Sequence, residues 1–276
     1  MTLQHNPLKQ YFRRPSIYIK LPSGGKYYPP GAINQTETGE LPVYPMTAID
    51  DITSKTPDAL YNGSAIVELI KSCVPDIKDP WRISSSDLDA ILIAIRISSA
   101  GNELEIDTAC PSCNEEAKYG VNLTGVLSTL KVGDYNAELK VNDLSIKFRP
   151  LTYKEMNDIS ISQFELQKLF SSLEATEDMI EKNTKTKDIL TSITNVAMKV
   201  LSTTIEYIRT PNSEVTENEY IYDFLQNCDK NMYEQIKLYH ESIKKDTELK
   251  PLKITCIHCN HYYEKPFTLN VSDFFA

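Results

Sequence analysis

Apolar and polar residues alternate in "SIYIKL", with Ile17, Ile19 and Leu21 on one side and Tyr18 and Lys20 on the other. That is the period of a half-buried strand. "PSGG" follows as a turn, where Gly24 and Gly25 are free to take positive φ. A second hairpin-like excursion is expected around Thr38 and Gly39, so residues 1–45 read as an N-terminal β-ribbon. From Met46 the period becomes helical. Thr47 is placed to cap "AIDDI", and "SAIVELIKSC" puts Ile66, Leu69 and Ile70 on one face. Ser86 and Asp89 resemble a capping box for a largely buried helix through "LDAILIAIRI", which Gly101 stops. Residues 46–100 form a helical segment on this reading.

The period then returns to two. "NELEIDTACPSCNEEAKYGVNL" reads as strand, knuckle, strand, and "NAELKVNDLSIKFRP" as a β segment turning at Asn142-Asp143. Thr152 and Glu155 make a capping box for a long helix carrying Met156, Ile159, Leu166, Leu169 and Leu173. The polar run "EATEDMIEKNTKTKD" reads as a loop. A further helix is expected from about Ile189 to Ile208, with Ile189, Ile193, Val196, Val200 and Leu201 in one stripe and Pro211 at its end. Thr216 with Glu219, then Asp229, are expected to cap the two helices that follow. "LKITC" is β again. The expected fold class is α+β. A β-rich scaffold carries a pair of cysteine knuckles, residues 101–149 and 246–276 form one β/zinc-knuckle module, and 150–245 is a largely helical insertion within it.

The two CxxC stretches, "DTACPSCNEEA" and "KITCIHCNHYY", align on their second cysteine. Asn114 then matches Asn260, Val121 matches Phe267, Leu123 matches Leu269 and Ile106 matches Leu252. Each half is a strand entering a tight turn and an alternating strand leaving it. One CxxC turn offers two thiolates, and a second from another hairpin completes the tetrahedral set that Zn²⁺ prefers. A redox CxxC would open a helix after a strand, whereas strand-like sequence follows both motifs here. Structural zinc through Cys110, Cys113, Cys256 and Cys259 is therefore favoured over a redox pair or four unligated thiols, with iron left as an alternative ion. His258 and His261 flank the second knuckle and are read first as turn-tip residues. Cys73 and Cys228 read as buried thiols on helices.

Charge and motifs narrow the function. The chain has 276 residues with 38 Asp+Glu against 29 Lys+Arg, a net charge of −9. That balance argues against a nucleic-acid partner, which would draw on clustered Lys and Arg. No apolar run is long enough to cross a bilayer, and the first residues do not resemble a signal peptide. A reducing cytoplasm is expected, where paired CxxC motifs point to metal. "PSGGKYY" lacks the glycine spacing and the hydroxyl residue of a phosphate loop. No nucleophile constellation is present, so neither catalysis nor a small-molecule substrate is expected. Sixteen tyrosines against one tryptophan, with aromatic and Arg residues gathered at Tyr11, Phe12, Arg13, Arg14, Tyr27 and Tyr28, suggest an N-terminal surface that docks a protein partner.

"NPLKQYFRRPSIYIKLPSGGKYY", "LPVYPMTAIDDI", "TPDALYNGSAIVELIKSC" and "FRPLTYKEMNDI", with CPSC and CIHC in the same order, resemble the baseplate hub and hub-assembly proteins of T4-type tailed bacteriophages. The resemblance implies a non-enzymatic tail protein that contacts other baseplate or hub proteins. It would reside in the virion, in the host cytoplasm during assembly, or in both. The alternative is a phage zinc-ribbon adaptor that binds host machinery.

Overall fold

The computed structural model describes residues 6–56, 61–174, 179–269 and 274–275. The α+β expectation holds: helix takes 47% and strand 20%, so helices packed on small sheets make up most of the mass. Two hydrophobic cores organise the chain.

The first core gathers around the long helix Ser85–Ala100. The ribbon pairs β1 (Ile17–Lys20) with β2 (Glu40–Val43), antiparallel, with Ile19 opposite Leu41. The connection from Leu21 to Gly39 is longer than a hairpin turn. Gly24 and Gly25 take positive φ there, as the sequence suggests. What pins this excursion is Asp87, fully buried on the next long helix. Its carboxylate accepts from the Ser23 N–H at 2.8 Å, from the Ser23 hydroxyl and from the Tyr28 hydroxyl at 3.0 Å. Helix α1 (Ala48–Ser54) starts with a reciprocal Thr47–Asp50 capping box. Helix α2 (Ser64–Cys73) buries Val67, Leu69, Ile70 and Cys73. Helix α3 (Ser85–Ala100) is buried on nearly every face, and Gly101 ends it at φ 90°. Its cap is Ser84 rather than Ser86: the Ser84 hydroxyl accepts from the Ser86 N–H, while the Ser86 hydroxyl is buried without a partner among the described residues.

The second core covers a four-stranded antiparallel sheet in the order β5-β6-β7-β8. Strands β5 (Glu138–Val141) and β6 (Leu144–Phe148) turn at Asn142-Asp143, with Asn142 at φ 51°. Strand β7 (Ile205–Arg209) pairs with β6 from well along the chain, and β8 (Glu214–Val215) closes the edge. Residues 150–245 are thus largely helical, as the periodicity indicates, but carry two strands of this sheet. The expected helix through Ile208 stops at Thr204, because the β-branched run from Thr203 to Ile205 continues into an extended strand on β6.

Helix α5 (Tyr153–Glu174) follows a short α4 (Leu123–Thr129) and the β5–β6 hairpin. It begins at the expected Thr152–Glu155 box, with Glu155 also held by both terminal nitrogens of Arg149. Helix α6 (Met179–Thr204) occupies most of the polar run expected to be a loop; residues 175–178 of that run lie outside the described residues. Glu and Lys are good helix formers, and α6 packs against α5, so the run is held as helix despite its polarity. Helix α7 (Asn218–Asn227) is preceded by Glu217 at its cap position, not Thr216, and makes no side-chain cap bond. Helix α8 (Lys230–Thr247) is capped by Asp229, which accepts from the Met232 N–H. Ile146, Phe148, Ile205 and Ile208 of the sheet meet Ile221, Leu225, Ile236 and Ile243 of these helices.

Candidate metal centre

The two knuckles project from separate hairpins. Strands β3 (Glu103–Ala109) and β4 (Glu116–Asn122) pair over seven positions, and β9 (Leu252–Thr255) pairs with β10 (Tyr262–Lys265) over four. The two hairpins share no strand ladder. The Tyr119 hydroxyl accepts from the Ile257 N–H at 3.4 Å, and Lys265 Nζ donates to the Asp107 carbonyl at 3.1 Å. The four sulfurs lie where the two turns meet.

The turns are built alike. Cys110 N–H donates to the Glu115 carbonyl at 3.0 Å, and Cys256 N–H to the His261 carbonyl at 2.9 Å. Asn114 and Asn260 donate back to the carbonyls of Cys110 and Cys256, at 2.9 and 3.0 Å. Ser112 N–H and His258 N–H each point at the first sulfur of their knuckle, at 3.4 Å. Each first cysteine is buried, while Cys113 is half-buried and Cys259 exposed. Val121 and Phe267, matched in the repeat, are both 8% exposed, whereas Leu123 is fully buried and its match Leu269 half-buried.

The four Sγ atoms lie within 4.8 Å of one another. Cys110 to Cys259 and Cys113 to Cys256 are each 3.7 Å apart, both pairs crossing from one knuckle to the other. A tetrahedron with metal–sulfur arms of about 2.3 Å has edges of about 3.8 Å. The donor set therefore fits a tetrahedral ion of the zinc or iron type. Backbone N–H groups of Cys259 and His258 favour the Cys256 thiolate and hold its pKa down to about 6. At Cys113 the Glu115 N–H also favours the thiolate, but burial and the three neighbouring thiols push its pKa up to about 12. Four sulfurs this close cannot all become thiolates without a cation among them.

The histidines are not in the set. His261 stacks beside Tyr263 with ring centroids 6.2 Å apart, and His258 contributes its backbone. Cys73 is buried at the last turn of α2, as expected, whereas Cys228 is half-buried and follows α7 as its C-cap.

The N-terminal set divides. Tyr11 and Phe12 are 78% and 58% exposed, and Arg14 is exposed beside them. Arg13 turns inward, donating to the Pro45 carbonyl, the Asp50 carboxylate and both the carbonyl and the hydroxyl of Ser72. Tyr27 meets Tyr135 edge-on at 5.6 Å, and Tyr28 serves Asp87. Burial, with the Asp87 charge second, pushes the Tyr28 hydroxyl far above its usual pKa. What the sequence pattern did not bring out is Leu8, Ile49 and Ile52, all large, apolar and more than 60% exposed. Ile49 and Ile52 occupy the outer face of α1, a signal available from the helical spacing of "AIDDI".

Among the described residues no helix is long and apolar enough to cross a membrane. No curated protein and no solved structure matches this chain. The family model described as T4 bacteriophage base plate protein matches residues 15–276, which takes in the ribbon, both cores and both knuckles. The chain belongs to that family of phage baseplate proteins, whose setting is the tail of the virion and whose partners are other baseplate proteins.

Proposed function

We propose that this protein is a non-enzymatic component of the baseplate hub or a factor that assembles it, with its fold stapled by one structural Zn²⁺. The observation that carries the reading is the closed donor set. Cys110, Cys113, Cys256 and Cys259 supply all four positions of a tetrahedron, and a catalytic zinc would need one left open for water or substrate. When bound, the ion would cross-link two hairpins that are otherwise joined by few contacts. A lone two-stranded hairpin is marginal in water, so the metal's contribution is to hold β9–β10 against β3–β4. The chain's own residues prepare that step. The knuckle N–H groups aim at the first sulfurs, and Asn114 and Asn260 set the turn.

Exposed aromatic and aliphatic side chains on the N-terminal segment and α1 support a role through protein contacts. The test is quantitative mass spectrometry of purified particles against infected-cell lysate, scaled to a known tail protein. A fixed stoichiometry of a few copies per particle is expected of a hub subunit. Abundance in the lysate, association with hub proteins there and absence from particles are expected of an assembly factor. Association with host proteins and with no tail protein would overturn both.

A further inference from the structure

Between the two cores lies a cavity of about 750 Å³, within the size range of ligand pockets. Its walls come from α3, α5, the end of α6, α8 and the segment after β10. Tyr135, Thr204 and Phe267 are buried in its floor, and Lys244 and Glu248 stand at its exposed rim. The space is a half-open cleft, with residues of both cores on its walls.

One side chain in it is out of balance. Asp89, half-buried on α3, lines this cavity and a neighbouring one of about 410 Å³. No donor or cation of the described residues reaches its carboxylate, and burial pushes its pKa up to about 6. The contrast with Asp87, two residues earlier, is sharp: that carboxylate accepts three hydrogen bonds. Lys244 does not neutralise Asp89. Its ammonium lies 3.7 Å from Glu248 on the same helix end. His240, also on the wall, is pushed towards its neutral form first by burial and then by Lys244. Among the described residues, the cavity therefore presents one uncompensated negative charge, Asp89, within surroundings that include Met156, Ile159 and Leu269. Burying a charge without a partner is costly, and a cation that enters relieves the cost.

We infer that this cavity is a receptor for one lysine or arginine side chain, carried on an apolar-flanked segment of another baseplate protein, with Asp89 as its counter-ion. Charge complementarity selects the head group and the apolar wall accommodates the aliphatic stem, as long cationic side chains require. The inference stands on family membership and on the cavity. It is independent of whether the chain stays in the particle or leaves after assembly.

The test has two arms. In the first, the full-length protein is titrated with n-hexylammonium and with neutral 1-hexanol at pH 7.5, followed by amide chemical shifts. The cation is expected to bind about tenfold more tightly than the alcohol, with shifts at Asp89, Met156 and Leu269. In Asp89→Asn that preference should fall to about one, while thermal stability is kept or raised. Equal binding of the two probes to the wild-type protein, or none, overturns the inference without reference to the variant. In the second arm, a photo-reactive amino acid at Ser160, on the cavity wall, is activated in infected cells. Cross-links to a lysine- or arginine-bearing segment of a baseplate protein, lost in Asp89→Asn, support the assignment. A cation preference in the first arm with no such cross-link would show a site for a free amine and overturn the protein occupant.

Discussion

Asn114 and Asn260 hold the same left-handed backbone conformation, φ 59° and 57°, each directly after the second cysteine of its knuckle. Each also donates its N–H to the carbonyl of the first cysteine. The left-handed region is where the chain must reverse to bring residue Glu115 or His261 back to that first cysteine. Asparagine tolerates this conformation, and β-branched residues do not. Asn260→Val is therefore expected to destabilise the protein by about 1–2 kcal/mol, whereas Asn260→Gly should be close to neutral. Chemical denaturation of the two variants checks this. Equal stabilities would mean that the turn is not held in the left-handed region.

Glu155 shows which interaction wins at a helix start. Burial alone would raise its pKa, but the two hydrogen bonds from Arg149, the Thr152 N–H and the Arg149 charge outweigh it and hold the carboxyl below its ordinary range. A depressed folded-state pKa contributes stability that is present above the unfolded value and is lost as pH falls through the folded one. Glu155→Gln is expected to lose about 2 kcal/mol at neutral pH. The gap between wild type and variant should close as the pH drops below about 4.3. Parallel urea titrations at pH 7 and pH 3 measure the gap. One of equal size at both would remove the charge from the explanation.

What the sequence made legible is local. The capping boxes at Thr47 and Thr152, the Asn142-Asp143 turn and the repeat of the knuckle are each written within a dozen residues, and each holds in the structure. The closeness of four cysteines from two distant stretches was legible too, because the repeat gave both halves one geometry that a single tetrahedral ion can join. What was not legible depends on partners far along the chain. The extended stretch from Ile205 to Arg209 looks like the end of a helical stripe until β6 is there to pair with it. The polar run ahead of Ile189 looks like a loop until α5 packs beside it. Asp87 and Asp89 carry no mark in the sequence that one is satisfied and the other is not.

Arg13 and its aromatic neighbours make a separable pair of expectations. The guanidinium joins three segments, through Pro45, Asp50 and Ser72, and its side chain is 26% exposed. Arg13→Ala should therefore cost about 2–3 kcal/mol of stability, since buried acceptors lose a charged donor. Tyr11→Ala with Phe12→Ala, both exposed, should stay within about 0.5 kcal/mol. Thermal melts of the two variants, beside their recovery of tail proteins from lysate, separate the roles. A stable Arg13→Ala protein, or a double aromatic variant that unfolds, would reverse the assignment.

The metal gives the largest expected effect. The protein purified without chelator should carry one tetrahedral ion per chain, zinc or iron being told apart by elemental analysis. Structural zinc sites in small domains have apparent binding energies on the order of 10 kcal/mol, and that energy becomes folding energy when the site is absent from the unfolded chain. Here the four sulfurs lie outside the two core clusters, so loss of the ion should open the knuckles first. Cys256→Ser is expected to lose the metal and to speed amide exchange along β9 and β10, with slower effects at Ile91 and Ile146 in the two cores. Cys228→Ser, outside the cluster, serves as the control and should keep both metal and exchange pattern. If Cys256→Ser retained the full metal content, or lost it with no change in exchange at Ile254, the four sulfurs would not be a staple. The join between the hairpins would then rest on Tyr119, Lys265 and the apolar contacts of Phe267.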